Sequence, residues 1–183
     1  MKKTLLLLTA LLGFSSASCF ADALLLTVNA TPYDRQMDRI RPVLNTSSDA
    51  SADQTSLAVV NQWMSDLRDI PYGYQQTWKT PSEVESRNPA DCKGKAVALY
   101  QRMRANGASN VRLVIGKRAP TSRMTHAWLV WETNNGSFLL DPTFNYNATR
   151  ADKVGRGAYV PFYAYAGSKK FRAAGSTSLV AQN

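Results

Sequence analysis

The sequence is poor in cysteine and histidine, with two of the first and one of the second among 183 residues. It also lacks any apolar run long enough to cross a bilayer, which takes roughly 20 residues as a helix. The longest candidate, Thr4 to Phe14, is about half that length, so a permanent membrane span is not expected. Lysine and arginine are scattered, with no basic run interleaved with aromatics, and this argues against a nucleic-acid groove. No internal repeat is present. A hydrophobic fraction of 44% with 19% charged residues is that of one ordinary globular domain.

Met1-Lys2-Lys3 gives a positive start, Thr4 to Phe14 an apolar stretch, and Ser15 to Ser18 and Ala21 the small residues that a signal peptidase requires. Residues 1–21 therefore read as a signal peptide, with cleavage after Ala21 or Ala23 and a periplasmic destination. Cleavage before Cys19, leaving a lipid-modified cysteine, is the weaker alternative, because Ser-Ala-Ser lacks the usual leucine. Loss of Lys2 and Lys3 lowers the formal charge from +9 to +7, a basic surface compatible with anionic or cell-wall contacts. If Cys19 leaves with the leader, Cys92 is the only thiol in an exported chain, where cysteines usually pair.

Residues 22–54 read as an N-terminal segment and linker, the latter carried by the polar stretch Asn45 to Gln54. A helix follows, with Leu57, Val60, Met64 and Leu67 at helical spacing and Val59 and Trp63 widening its apolar face. Pro71 ends it. Tyr72 to Ala90 reads as a loop with one helical turn near Ser82 to Glu85. A second helix spans about Cys92 to Asn106, capped by Asp91 or by Asn88 before Pro89. Beyond Gly107 the period changes to two, giving strands over Val111 to Ile115, His126 to Trp131 and Phe138 to Leu140. Asn134-Asn135-Gly136 joins the last two as a hairpin. The catalytic domain is placed at 55–165, and 166–183 is read as a flexible tail. The fold class is α+β, helices on an antiparallel sheet.

Cysteine attacks as the thiolate, and a helix start or a neighbouring histidine favours that form. Cys92 sits at a helix start, where unpaired backbone N–H groups can also hold an oxyanion. His126 opens one hairpin strand and Asp141 follows the other, so pairing brings base and orienter together. Upstream, Trp78, Gln75 and Gln76 are candidates for a second oxyanion donor.

The segments TWKTPSEVESRNPADCKGKAVALYQRMRANG, MTHAWLVW and FLLDPTFN resemble the bacterial transglutaminase-like cysteine proteinases over roughly Ser56 to Asn145. That resemblance implies a papain-like core, a Cys92/His126/Asp141 triad, and activity on peptide or amide bonds of a protein or peptide substrate. Transamidation and a non-catalytic peptide- or cell-wall-binding role are the alternatives. Calcium-dependent members carry acids just after the cysteine, whereas this chain has Lys93 and Lys95. No metal or other cofactor is expected.

Overall fold

The computed structural model describes residues 25–47, 55–86 and 88–174. The leader, most of the polar linker and the last nine residues lie outside the described residues. The strands are β1 (Leu25–Thr27), β2 (Val111–Lys117), β3 (His126–Thr133), β4 (Gly136–Leu140), β5 (Thr149–Arg150), β6 (Val160–Ala166) and β7 (Lys169–Ala173). The helices are α1 (Arg41–Leu44), α2 (Leu57–Arg68), α3 (Pro81–Glu85) and α4 (Cys92–Ala105). No helix among the described residues is long and apolar enough to cross a membrane.

Helices α2, α3 and α4 begin where the sequence supplies a cap. The Ser56 side chain accepts from the Val59 N–H at the start of α2. Thr80 and Glu83 form a reciprocal capping box on α3, and Asp91 accepts from Gly94 on α4. Between the two caps that the sequence allowed for α4, Asp91 is the one used. On α2, Val60, Met64 and Leu67 are buried as expected, while Leu57 and Val59 are exposed, so its apolar face is narrower than the pattern suggested.

The seven strands make one antiparallel sheet in the order β1-β7-β6-β2-β3-β4-β5. Along β3, Ala127, Leu129 and Trp131 join the core under the helices, while Trp128 joins a smaller cluster on the opposite face with Val114, Leu139, Tyr159 and Ala164. This is the two-residue alternation of a strand with both faces covered. Helix α4 runs under β2 and β3 with Cys92, Ala96, Val97, Leu99 and Met103 all buried. Burying each of the larger side chains contributes about 1.5–3 kcal/mol, so the helix carrying the cysteine is seated by its own core residues.

The sheet continues past the boundary set at residue 165: β7 pairs with both β6 and β1, so residues to Ala173 are part of the domain and β1 is tied to it. The sequence reading missed β1, β6 and β7: β1 and β6 find partners far along the chain, on β7 and β2, while β6 and β7 form a local hairpin whose strands carry little alternating apolar signal. Gly116 marks where β2 meets β6 across a register shift. A Cβ there would lie 2.1 Å from the Val160 carbonyl oxygen and 2.7 Å from the Trp128 ring. Backbone on one side and a buried indole on the other leave no relief. Gly116→Ala should therefore lower stability by roughly 3 kcal/mol in urea unfolding, whereas Gly155→Ala, with nothing within 4 Å of the new methyl, should change it little; equal midpoints would refute this account.

Candidate functional site

The sequence offers one histidine and, among the described residues, one free thiol, and the fold gathers both at one end of the sheet. Cys92 is the first residue of α4, 8% exposed and free. His126 is the first residue of β3. The β3–β4 register, Thr133 opposite Gly136 through Leu129 opposite Leu140, carries the residue just after β4 back beside the start of β3. That residue is Asp141, and its Oδ2 lies 2.8 Å from His126 Nε2.

Asp141 is fully buried, so its charge needs partners. Its Oδ1 accepts from the backbone N–H groups of Thr143 and Phe144, at 3.0 and 3.4 Å. Its Oδ2 accepts from the Tyr159 hydroxyl at 2.8 Å as well as facing the imidazole. The Asp-Pro pair thus closes a turn and holds the histidine with the same carboxylate. An ionised carboxylate only accepts, so His126 Nε2 must carry a proton, leaving Nδ1 as the ring's other nitrogen. Burial pushes the His126 pKa down, but the hydrogen bond to Asp141, a hydrogen bond to the Cys92 side chain, and the charges of both residues outweigh it and raise the value to about 9. The ring also contacts Trp128, Phe144 and Tyr159, at centroid distances of 6.0, 5.3 and 6.3 Å.

Tyr159 was not legible in the sequence. It sits at φ +54°, an unusual backbone for a bulky side chain, with its N–H bonded to the Arg118 carbonyl at 2.7 Å and its ring edge-on to Trp128 at 5.3 Å. Burial first, then the Asp141 charge and hydrogen bond, push its pKa up to about 12. The hydroxyl is a donor at any ordinary pH. No motif marks it, because it reaches Asp141 from the turn before β6.

A cleft of about 350 Å³ opens over Cys92 and His126. Trp78 and Gln76 line it. The Trp78 indole is buried and its Nε1 has no hydrogen-bond partner among the described residues. Gln75, by contrast, acts through its backbone: its N–H donates to Asp91 Oδ2 at 3.2 Å and its carbonyl accepts from Lys93 Nζ at 2.9 Å. Lys95 donates to the Arg68 and Ile70 carbonyls at the end of α2, at 3.2 and 2.6 Å, and burial lowers its pKa. Of the two lysines that weighed against a cation, only Lys93 meets Asp91. A second hollow, of about 210 Å³ beside Met37 and Tyr165, is lined by neither cysteine nor histidine.

No protein-family model matches this chain, and no curated protein sequence matches it. Among solved structures, calcium-bound LapG of Legionella pneumophila is similar at TM-score 0.55 and 18% identity, over 79% of this chain and 83% of that one. EGTA-treated LapG gives 0.56 and 16%, over 76% of each chain. The chain thus shares the α+β fold of these structures, helices against an antiparallel sheet. At such identity the likeness speaks for architecture alone, and the chemistry rests on this chain's own residues.

The raised His126 pKa sets a pH dependence. A group protonated more readily in the folded than in the unfolded state contributes stability that is full below about 6.5 and is lost as pH rises through about 9. The stability lead of the wild type over Asp141→Asn should therefore shrink between pH 6.5 and 9.5 in urea unfolding; a lead that is constant or grows would contradict it. Tyr159→Phe keeps the ring against Trp128 and removes one donor from a buried carboxylate, which should cost about 1.5–3 kcal/mol. Unfolding at pH 7 measures it, and a loss below 0.5 kcal/mol would show the hydroxyl to be dispensable.

Proposed function

We propose that this protein is an exported cysteine hydrolase that cleaves peptide or amide bonds, with Cys92 as nucleophile, His126 as its base and Asp141 as the orienter. The observation that carries the reading is the 2.8 Å contact between His126 Nε2 and a buried Asp141. It commits one ring nitrogen to the carboxylate and leaves the other for the thiol at the start of α4. The transglutaminase-like architecture adds support, since it brings a cysteine-bearing helix against a sheet that carries the histidine. The leader at residues 1–21 is part of this reading, and the catalytic domain takes in β1 and α1 ahead of residue 55, since they join its sheet and core.

In this reading His126 takes the Cys92 proton and the thiolate attacks the substrate carbonyl carbon. The carbonyl oxygen becomes an oxyanion, which accepts hydrogen bonds from N–H groups at the start of α4 and from the Trp78 indole N–H, with Gln76 as the alternative side-chain donor. The imidazolium gives its proton to the amine, which leaves as the C–N bond breaks, and a thioester remains. Water then attacks the thioester with His126 as base; the C–S bond breaks, a carboxylic acid departs and the thiol is restored. Asp141 holds the imidazolium through both halves. Tyr72, Tyr74 and Met124, exposed along the cleft, offer apolar contacts to an extended peptide.

Iodoacetamide labelling at neutral pH tests the activated thiol. Cys92 should react at least tenfold faster than a model thiol, with His126→Ala removing the advantage. A wild-type rate equal to the model thiol, unchanged by His126→Ala, would sink the proposal. An amine probe added with a peptide substrate separates the acceptors: hydrolysis gives no stable amine adduct, and accumulation of one would assign the chain to transamidation.

A further inference from the structure

Asp91 places a carboxylate immediately before the attacking sulfur, and it is 1% exposed. An uncompensated charge there would repel both the thiolate and the oxyanion that forms after attack. Three donors converge on it. Oδ1 accepts from the Gly94 N–H at 3.1 Å, and Oδ2 from the Gln75 N–H at 3.2 Å and from the Lys93 ammonium. That ammonium also donates to the Gln75 carbonyl at 2.9 Å and lies 5.1 Å from the centre of the Tyr74 ring. A carboxylate, a carbonyl and an aromatic face are what an ordered cation seeks.

LapG, which shares this architecture, has been solved calcium-bound. The residues here do not fit such an ion. Calcium takes six to eight oxygen ligands, whereas no group of three His, Cys, Asp or Glu side chains suited to a metal occurs among the described residues. Asp91, the carboxylate nearest the nucleophile in sequence, already has both oxygens engaged by donors.

We propose that the Lys93 ammonium is the built-in counter-cation of this site, neutralising Asp91 and fastening the 72–78 segment to the start of α4, so that the nucleophile is set up without a divalent metal. The proposal rests on the reading of Cys92 as the nucleophile. The segment is already zipped to the residues before α4: Gly73 N–H meets the Ala90 carbonyl at 3.3 Å, Ala90 N–H the Pro71 carbonyl at 3.0 Å, and Lys79 Nζ the Pro89 carbonyl at 2.8 Å. Lys93 adds a link from the residue that directly follows Cys92 in the chain. Gln76 and Trp78 hang from that segment, so the same ammonium sets the distance between the candidate oxyanion donors and Cys92. Lys93 is thus a positioning residue acting through Asp91 and Gln75.

The test compares Lys93→Arg, Lys93→Met and Lys93→Glu with the wild type, reading Cys92 labelling by iodoacetamide at pH 7 and the melting temperature, each in calcium and in EGTA. Labelling should follow charge: near the wild-type rate for Arg, about tenfold slower for Met and slower again for Glu, because a nearby cation favours the thiolate and a nearby anion disfavours it. Wild-type rate and melting temperature should be the same in calcium and EGTA. A role in packing alone would order the variants by size, with Met nearest to lysine, and that order would overturn the proposal. So would a Lys93→Met rate equal to the wild type, or a wild-type rate that falls in EGTA. If Lys93→Met is unchanged while His126→Ala is slow, only this inference fails; if wild-type Cys92 is no faster than a model thiol, the hydrolase reading fails first.

Discussion

The buried carboxylate of Asp141 is the constraint around which this end of the molecule is arranged. A charge with no exposed surface is tolerable only if its lone pairs are filled. The four donors that fill them come from three parts of the chain: the first residue of β3, the turn after β4, and the turn before β6. Satisfying one side chain therefore fixes the histidine, closes the hairpin exit and anchors a late strand of the sheet. The proton on His126 Nε2 follows from the same accounting, since an acceptor-only partner dictates which nitrogen donates.

A second buried carboxylate, Asp91, is handled differently. It is satisfied locally, by its own helix, by the neighbouring segment and by an ammonium two residues along. One acid thus ties distant strands together while the other ties a loop to a helix start. The two meet at Cys92, whose helix begins on the second and whose partner histidine hangs from the first. Lys95 and α2 complete the seat from below, with the buried ammonium taking up carbonyls that the end of α2 leaves open.

The parts of this arrangement that were legible in the sequence are those written in local patterns. Helix spacing, the Asp91 cap and the Asn134-Asn135-Gly136 turn located α2, α4 and the β3–β4 hairpin, and the hairpin register was enough to bring residues 126 and 141 together. What stayed hidden depends on partners far along the chain. Tyr159 meets Asp141 through a turn with positive φ that no motif marks. Strand β7 looked like a tail because Lys169-Lys170-Phe171-Arg172 carries little apolar signal, and edge pairing with β1 supplies what its side chains do not. Gln75 and Lys93 stood out in the sequence, but their contacts did not: one bonds through its backbone, and the other through a geometry that charge alone does not specify.

Pairing of Leu25 with Ala173 makes the first and last described strands neighbours at one edge of the sheet. Cys92, His126 and Asp141 sit instead within a nearly contiguous stretch of chain on its other half. Closing the edge requires almost the whole polypeptide, with the slow loop closure that such distant contacts impose. Among the described strands β1 pairs with β7 alone, so this edge can form only once the far end of the sheet is in place.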